Sequence, residues 1–276
     1  MNTLTATAVG AVGIGPMIRH WRERRRMSQL YLASEAEISS RHLSFIETGR
    51  AAPSRAMVLR LAEYLEVPLR ERNELLTAAG FAPVFQERSL TDLSMQPARS
   101  AVEQILKGHE PYPALAIDRH WNLVSANGAV AALIADADPS LLEAPVNVLR
   151  VSLHPRGLAS KIVNLAQWRA HLLERLERQI ALTADPQLSA LRDELKSYPG
   201  GSGRDDTGES SIVIPFVLST AAGQLSFIST TMMFGTPIDI TLSELAIELF
   251  FPADEATAVA LQLGDGLITH QLSERR

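Results

Sequence analysis

From residue 16 to residue 80, apolar positions recur at helical spacing, and polar residues fill the faces between them. Pro16 suits a helix start, and Met17, Ile18 and Trp21 form the first apolar stripe. Ser28 can cap a second helix over about 28–36, with Leu30, Tyr31, Leu32 and Ala36 as its apolar positions. Ser39 can cap a third, which turns Leu43 and Ile46 inward and stops at Gly49. Pro53-Ser54 opens a fourth, with Met57, Leu61, Ala62 and Leu65 facing inward. Val67-Pro68 interrupts the pattern before a fifth helix, Arg70–Ala79, which Gly80 ends. Five short helices in so small a span predict a compact all-α bundle.

The pattern then changes. Residues 83–100 are mixed and polar with two prolines, which reads as a linker running into a helix near 92–107. Ala114–Asp118 and Trp121–Ala126 predict two strands joined by a tight turn at Arg119-His120. Asn127-Gly128 leads into a small-residue helix to about Ala135. One long helical pattern covers 157–182, and Pro186–Tyr198 predicts another helix. The run GGSGRDDTG (200–208) reads as a flexible polar loop. Ile212–Leu218 and Gln224–Phe234 are rich in Ile, Val, Phe and Thr and predict strands. Leu242–Phe250 fits either a strand or a helix, and Ala253–Leu263 predicts a closing helix. This second region is α+β with an antiparallel sheet.

Composition narrows the class. The chain is 46% hydrophobic and 21% charged, a globular balance over 276 residues, enough for two domains. It has no cysteine, which excludes a disulfide framework, thiolate metal sites and a cysteine nucleophile, and fits a cytoplasmic setting. The first residues lack the positive region of a signal peptide and read as a loose tail. Ser210–Ile238 carries no charge, yet Pro215, Pro237 and two glycines interrupt it, so a β-hairpin is expected rather than a membrane span. Charge is uneven. Residues 1–80 hold 11 Arg and 8 Glu, a net of +3; the remainder holds 15 basic and 23 acidic residues, a net of −8. A basic head on an acidic body suggests that the head alone meets a polyanion.

Within the head, the second and third helices have the proportions of a helix-turn-helix, whose second helix enters the DNA major groove by its N-terminus. Ser39, Ser40 and Arg41 suit that end: arginine can donate two hydrogen bonds to guanine, and serine can bond bases or phosphate. The run RERRR (22–26) taken by itself reads as a solvated face. His20 and His42 read as surface or packing residues rather than metal ligands, because no carboxylate or cysteine cluster accompanies them. The region resembles the helix-turn-helix of the Xre and lambdoid phage repressor family over roughly residues 14–72. The match is carried by Ile18-Arg19-x-x-Arg22, Met27-Ser28-Gln29, Ile38-Ser39-x-x-x-Leu43-Ser44-x-Ile46-Glu47-x-Gly49-Arg50 and Pro53-Ser54. The resemblance implies a lambda-repressor-like five-helix bundle. It implies that Gln29 and Arg50 contact phosphate, that Ser40, Arg41 and Ser44 face bases or flanking phosphates, and that Arg22 pairs with Glu47. Arg26 departs from the family, which usually has glycine there, and Phe45 stands where phage repressors can carry a polar reader.

Residues 116–133 (AIDRHWNLVSANGAVAAL) resemble the opening of a PAS domain, with Asp118 ending a strand and Asn127 starting a helix of small residues, Ala129–Leu133. RHLSFIETGR, EPYPALAIDRHWNLVSAN, LHPRGL, NLAQWRAHLLERL, GQLSFISTTMMFGTPIDITLSEL and FFPAD together make the chain similar to the MmyB-like regulators. That resemblance implies an Xre-type head followed by a PAS-like domain whose sheet is flanked by helices on one face. It also implies a pocket for a lipophilic molecule such as a fatty acid. The expected organisation is a disordered tail over 1–13, the DNA-binding domain over 14–82, a linker and connecting helix over 83–109, and a PAS-like ligand-binding and dimerisation domain over 110–276. Trp121, Leu123, Trp168, Phe227, Met232 and Phe234 are the pocket candidates, although for any single one of them ordinary core packing is the better reading. Arg169 and His171 lie two apart on the long helix and point to different faces; a surface or salt-bridge role is the expectation for them, with pairing of one to a ligand carboxylate as the alternative.

The expected partners are a double-stranded DNA operator, a small hydrophobic ligand and a second copy of the chain, with no membrane and no obligatory cofactor. A homodimer is expected because one short recognition helix reads few base pairs. Two other readings stay open: a second domain that only dimerises, and a haem- or flavin-binding PAS sensor. An enzyme is not expected, since G-x-S-x-G, glycine-rich phosphate loops, H-E-x-x-H and cysteine are all missing.

Overall fold

The computed structural model describes residues 13–200, 213–220 and 223–263. The expected 1–13 tail and 200–208 loop lie almost wholly outside them. The chain divides into two compact units: Met1–Glu87 with Ile238–Ile240, and Arg88–Pro237 with Thr241–Arg276.

The first unit holds five helices: α1 (Ile14–Arg24), α2 (Gln29–Glu35), α3 (Ser40–Glu47), α4 (Arg55–Tyr64) and α5 (Leu69–Ala78). Three begin on serine caps. The hydroxyls of Ser28, Ser39 and Ser54 accept from the backbone N–H of Tyr31, His42 and Met57 at 3.1, 3.1 and 3.3 Å. All five exits pass through the left-handed region, at Arg26, Glu37, Gly49, Glu66 and Gly80 (φ 54, 54, 72, 48 and 83°). Arg26 is therefore a non-glycine residue where glycine costs least, which explains why a glycine suits that position. Ile18, Leu32, Leu43, Ile46, Leu61 and Leu65 are completely buried and form the centre of the bundle. Helix α1 crosses α3 so closely that a Cβ on Gly15 would lie 2.4 Å from the Ile46 carbonyl oxygen.

In the second unit, α6 (Gln96–Gly108) leads into β1 (Ala114–Ile117), β2 (Leu123–Ala126) and α7 (Gly128–Ile134). Helices α8 (Val148–Leu153), α9 (Leu165–Thr183) and α10 (Pro186–Ser197) follow. The hairpin β3 (Phe216–Thr220) and β4 (Gly223–Met233) comes next, then α11 (Ile240–Ser243) and β5 (Ala246–Pro252). Residues 255–263 form the expected closing helix. The sheet order is β2-β1-β5-β4-β3, antiparallel throughout. This is the α+β domain with an antiparallel sheet that the PAS-like resemblance implies.

Alternation along β1 explains its two-sided burial. Leu115 and Ile117 join the large core beneath α7–α10, whereas Ala114 and Ala116 face a smaller cluster with Val102 and Leu106 of α6, Leu245, Ile247 and Leu249. Helices thus cover both faces, not one. Three further expectations change. The long helix begins at Leu165 rather than 157, because the chain turns tightly there: a Cβ on Gly157 would lie 2.1 Å from the Val151 carbonyl oxygen. The ambiguous stretch 242–250 splits into the end of α11 and most of β5. Trp121 is not in a strand; it sits at φ 66°, closing a turn in which Asp118 accepts from the backbone N–H of His120 and Asn122 at 2.8 and 2.9 Å.

Candidate functional site

Two regions carry chemistry. In the first unit, Ser39, Ser40 and Arg41 are exposed at the start of α3, while Leu43 and Ile46 anchor its other face. The helix is amphipathic by position, so its polar start projects and its apolar side holds. The guanidinium carbons of Arg41 and Arg50 lie 5.4 and 6.0 Å from the Phe45 ring centroid. One half-buried ring thus holds two cations on the same surface. Ser44 is half-buried, and its carbonyl accepts from the Thr48 hydroxyl at 2.7 Å.

The Arg22–Glu47 pair forms: Nε and Nη2 of Arg22 donate to the two Glu47 oxygens at 2.6 and 2.9 Å. Both residues are buried. Arg22 Nη1 also donates to the Met27 carbonyl at 2.9 Å, and Gln29 Nε2 donates to Glu47 Oε2 at 2.7 Å. Every charged atom of this fastener is matched, as burial demands. Arg25 caps the end of α4 by donating to the Leu65 and Glu66 carbonyls, both at 2.9 Å. Within the run 22–26, Arg22 and Arg25 thus fasten the bundle, while Glu23 and Arg26 are exposed as a solvated face would have them.

In the second unit, an apolar cavity of about 90 Å³, or about 810 Å³ of empty space when its opening to solvent is counted, lies between the sheet and α7–α9. Leu115, Leu123, Phe216 and Phe250 line the sheet side; Val130, Leu133 and Ile134 come from α7, and Trp168 and Leu172 from α9. All but three lining side chains are apolar; the exceptions are Ser152, Arg175 and Glu248.

The polar residues form connected groups. Arg175 Nη2 and Nη1 donate to the Glu248 carboxylate at 2.5 and 3.2 Å. Thr231, directly opposite Glu248 across β4 and β5, accepts from Arg175 at 3.0 Å and donates to Glu248 at 2.9 Å. The Arg175 guanidinium also lies 4.9 Å from the Trp121 ring centroid, and Trp121 Nε1 donates to Gln179 at 2.7 Å. A bulky residue in the left-handed region is unusual, and these contacts hold it there with its ring on the cavity wall. Trp168 Nε1 donates to Ser152 Oγ at 3.1 Å. Burial, then the charges of Arg175 and Arg178, push the His171 imidazole below its ordinary range; its ring stacks on Trp168.

Of the pocket candidates, Trp121, Leu123 and Trp168 line the cavity. Phe227 is fully buried in the same core but is not among the lining residues. Met232 is 42% exposed, and Phe234 packs against the cluster under α6 on the opposite sheet face. Both lie an odd number of residues from Phe227, and strand alternation sends them to that other face. Arg169 does not reach the cavity either. It donates to the carbonyls of Leu195, Lys196, Tyr198 and Gly200, fastening the end of α10. Arg175, Glu248, Phe216 and Phe250 were missed by sequence reasoning; an inward-facing charge in an apolar strand, Glu248 in AIELFFP, was the available signal.

Asn127 begins α7, but its side chain serves the fold instead of the helix cap, accepting from Ala114 N–H and donating to the Leu106 and Tyr112 carbonyls. No histidine or methionine lines the cavity, so a haem would find no axial ligand of that kind there among the described residues. Among the described residues no group of three or more His, Cys, Asp or Glu is placed to hold a metal, and no helix is long and apolar enough to cross a membrane.

Comparison with known proteins follows the same division. A helix-turn-helix domain model matches residues 14–75. A model described as the MmyB-like transcription regulator ligand binding domain matches residues 98–263. No curated protein matches the chain. Among solved structures, an RNA-binding Light-Oxygen-Voltage receptor is similar at 15% identity and a TM-score of 0.22; the match covers 94% of this chain and spans 64% of the length of that one.

Proposed function

Because this chain belongs to the family of MmyB-like transcription regulators, we propose that its second domain senses a small hydrophobic ligand and adjusts how the first domain binds DNA. Both matched families are of transcription-regulator type rather than enzymes, and the helix-turn-helix makes the chain a DNA-binding regulator with a ligand-binding domain. The observation that carries the ligand reading is the cavity, walled by apolar side chains with three polar residues among them. A lipophile with an extended apolar body fits walls of that chemistry.

On the DNA side, Ser40, Arg41 and Ser44 are assigned to base edges and adjoining phosphates, and Ser39 and Arg50 to phosphate. Gln29 keeps one amide hydrogen on Glu47, and its second can reach phosphate. The chain acts as a homodimer, since α3 by itself spans few base pairs and a two-fold pair doubles the contacts. Ligand binding changes DNA affinity to the extent that it favours one dimer arrangement over another.

The test has two arms on the full-length chain. Selection from a random duplex library is expected to enrich a site with two-fold symmetry; no enrichment would overturn the DNA assignment. Solvent extraction and mass spectrometry are expected to release a lipophile in stoichiometric amount. An empty extract, together with no binding of added lipophiles, would leave the second domain as a dimerisation module.

A further inference from the structure

The cavity's charges are already balanced within the protein. Arg175 spends Nη1 and Nη2 on Glu248, and Glu248 is itself only 4% exposed. Thr231 completes the triangle. Arg175 and Glu248 are the only charged residues lining the cavity among the described residues, and they sum to zero. His171, whose ring stacks on the cavity-wall residue Trp168, is pushed toward its neutral form by burial and by Arg175 and Arg178. A ligand carboxylate entering here would surrender its hydration and meet no uncompensated cation, while facing the buried Glu248 carboxylate.

Uncharged oxygen is treated differently. Ser152 Oγ accepts from Trp168 Nε1, and its own hydroxyl hydrogen remains able to donate to a ligand oxygen. The rest of the lining offers apolar contact.

Resting on the ligand-sensing reading above, we propose that this cavity selects an uncharged lipophile bearing a hydrogen-bonding oxygen, such as an alcohol or ester, and discriminates against a free carboxylate. Glu248 is the specificity-determining residue: by neutralising Arg175 it removes the counter-charge that an acid would need.

The experiment compares 1-octanol, methyl octanoate and octanoate on the full-length chain at neutral pH. Binding is followed by tryptophan fluorescence, to which the cavity-wall residues Trp121 and Trp168 report, and by calorimetry. The alcohol and the ester are expected to bind at least about tenfold more tightly than octanoate. Octanoate binding as tightly as the neutral probes would overturn the proposal while leaving the pocket standing. Failure of all three to bind would remove the ligand-sensing reading and this inference with it. In Glu248→Gln, octanoate is expected to overtake 1-octanol, because Arg175 then keeps an unmatched charge. An unchanged order in the folded variant would overturn the role given to Glu248, and the wild-type series decides even if that variant does not fold.

Discussion

The two units each contain a guanidinium–carboxylate pair, and the pairs do different work. Arg22–Glu47 lies against a bundle core, with Gln29 and the Met27 carbonyl taking up remaining hydrogen-bonding capacity. Arg175–Glu248 has Thr231 as partner and borders an apolar cavity. The first pair fastens α1 to α3 and so fixes the angle at which the recognition helix is presented. The second sets the charge that a bound molecule meets. The same chemical group is a fastener where packing is complete and, in the reading proposed above, a filter where space remains.

The largest expected effect breaks the pairs one at a time. Glu47→Ala leaves Arg22 buried without its partner and should cost the first unit about 3–5 kcal/mol. Glu248→Ala leaves an arginine whose side chain is 18% exposed, so water can partly replace the carboxylate and the cost should be smaller, about 1–3 kcal/mol. Urea denaturation of each variant checks the order; a larger loss from Glu248→Ala would break the comparison. Next, Arg41→Ala should cost about 1–3 kcal/mol of operator affinity and relax preference at one base position. Unchanged binding and preference in repeated site selection would remove Arg41 as a reader.

Cavity filling sharpens the contrast from the other side. Val130→Phe adds bulk to a wall that borders empty space, and is expected to lower 1-octanol affinity at least about tenfold while changing stability by under about 1.5 kcal/mol. Calorimetry and thermal melting separate the two effects. A smaller effect concerns acid. Burial would raise the Asp185 carboxyl, but hydrogen bonds from Arg119, His120 and the Gln187 N–H bring it down to about 2. A lowered folded value means that the stabilisation is complete above the unfolded value near ~4 and fades as pH falls toward about 2. Asp185→Asn should flatten the second unit's stability over that window, read from melts at stepped pH. The smallest change is Arg26→Gly, which relieves a left-handed non-glycine residue and should stabilise the first unit by about 0.5–1 kcal/mol.

Legibility in the sequence differed between the units for the same physical reason. The helices of the first unit are announced locally, by Ser28, Ser39 and Ser54 as caps and by apolar positions three or four apart. Their ends fall within a few residues of the pattern. In the second unit β1 to β4 were legible and β5 was left open between strand and helix, but the contents of the cavity were not legible. Glu248 and Arg175 stand 73 residues apart, and nothing local pairs them. Trp121 reads as a strand residue until Asp118 is seen turning the chain. Met232 and Phe234 fit a pocket by type, but their position along β4 sends them to the other face, a distinction that strand alternation could have made. The helical pattern from 157 to 164 was apolar enough to mislead; the close approach of Gly157 to Val151 is a tertiary fact.

The account rests on coupling between an occupied cavity and DNA affinity. The most direct measurement is the operator dissociation constant of the full-length chain with and without saturating 1-octanol, with occupancy followed by tryptophan fluorescence. A change of at least about fivefold is predicted, with operator DNA changing 1-octanol affinity by the same factor, because coupling is reciprocal. An unchanged dissociation constant at demonstrated occupancy would contradict the account.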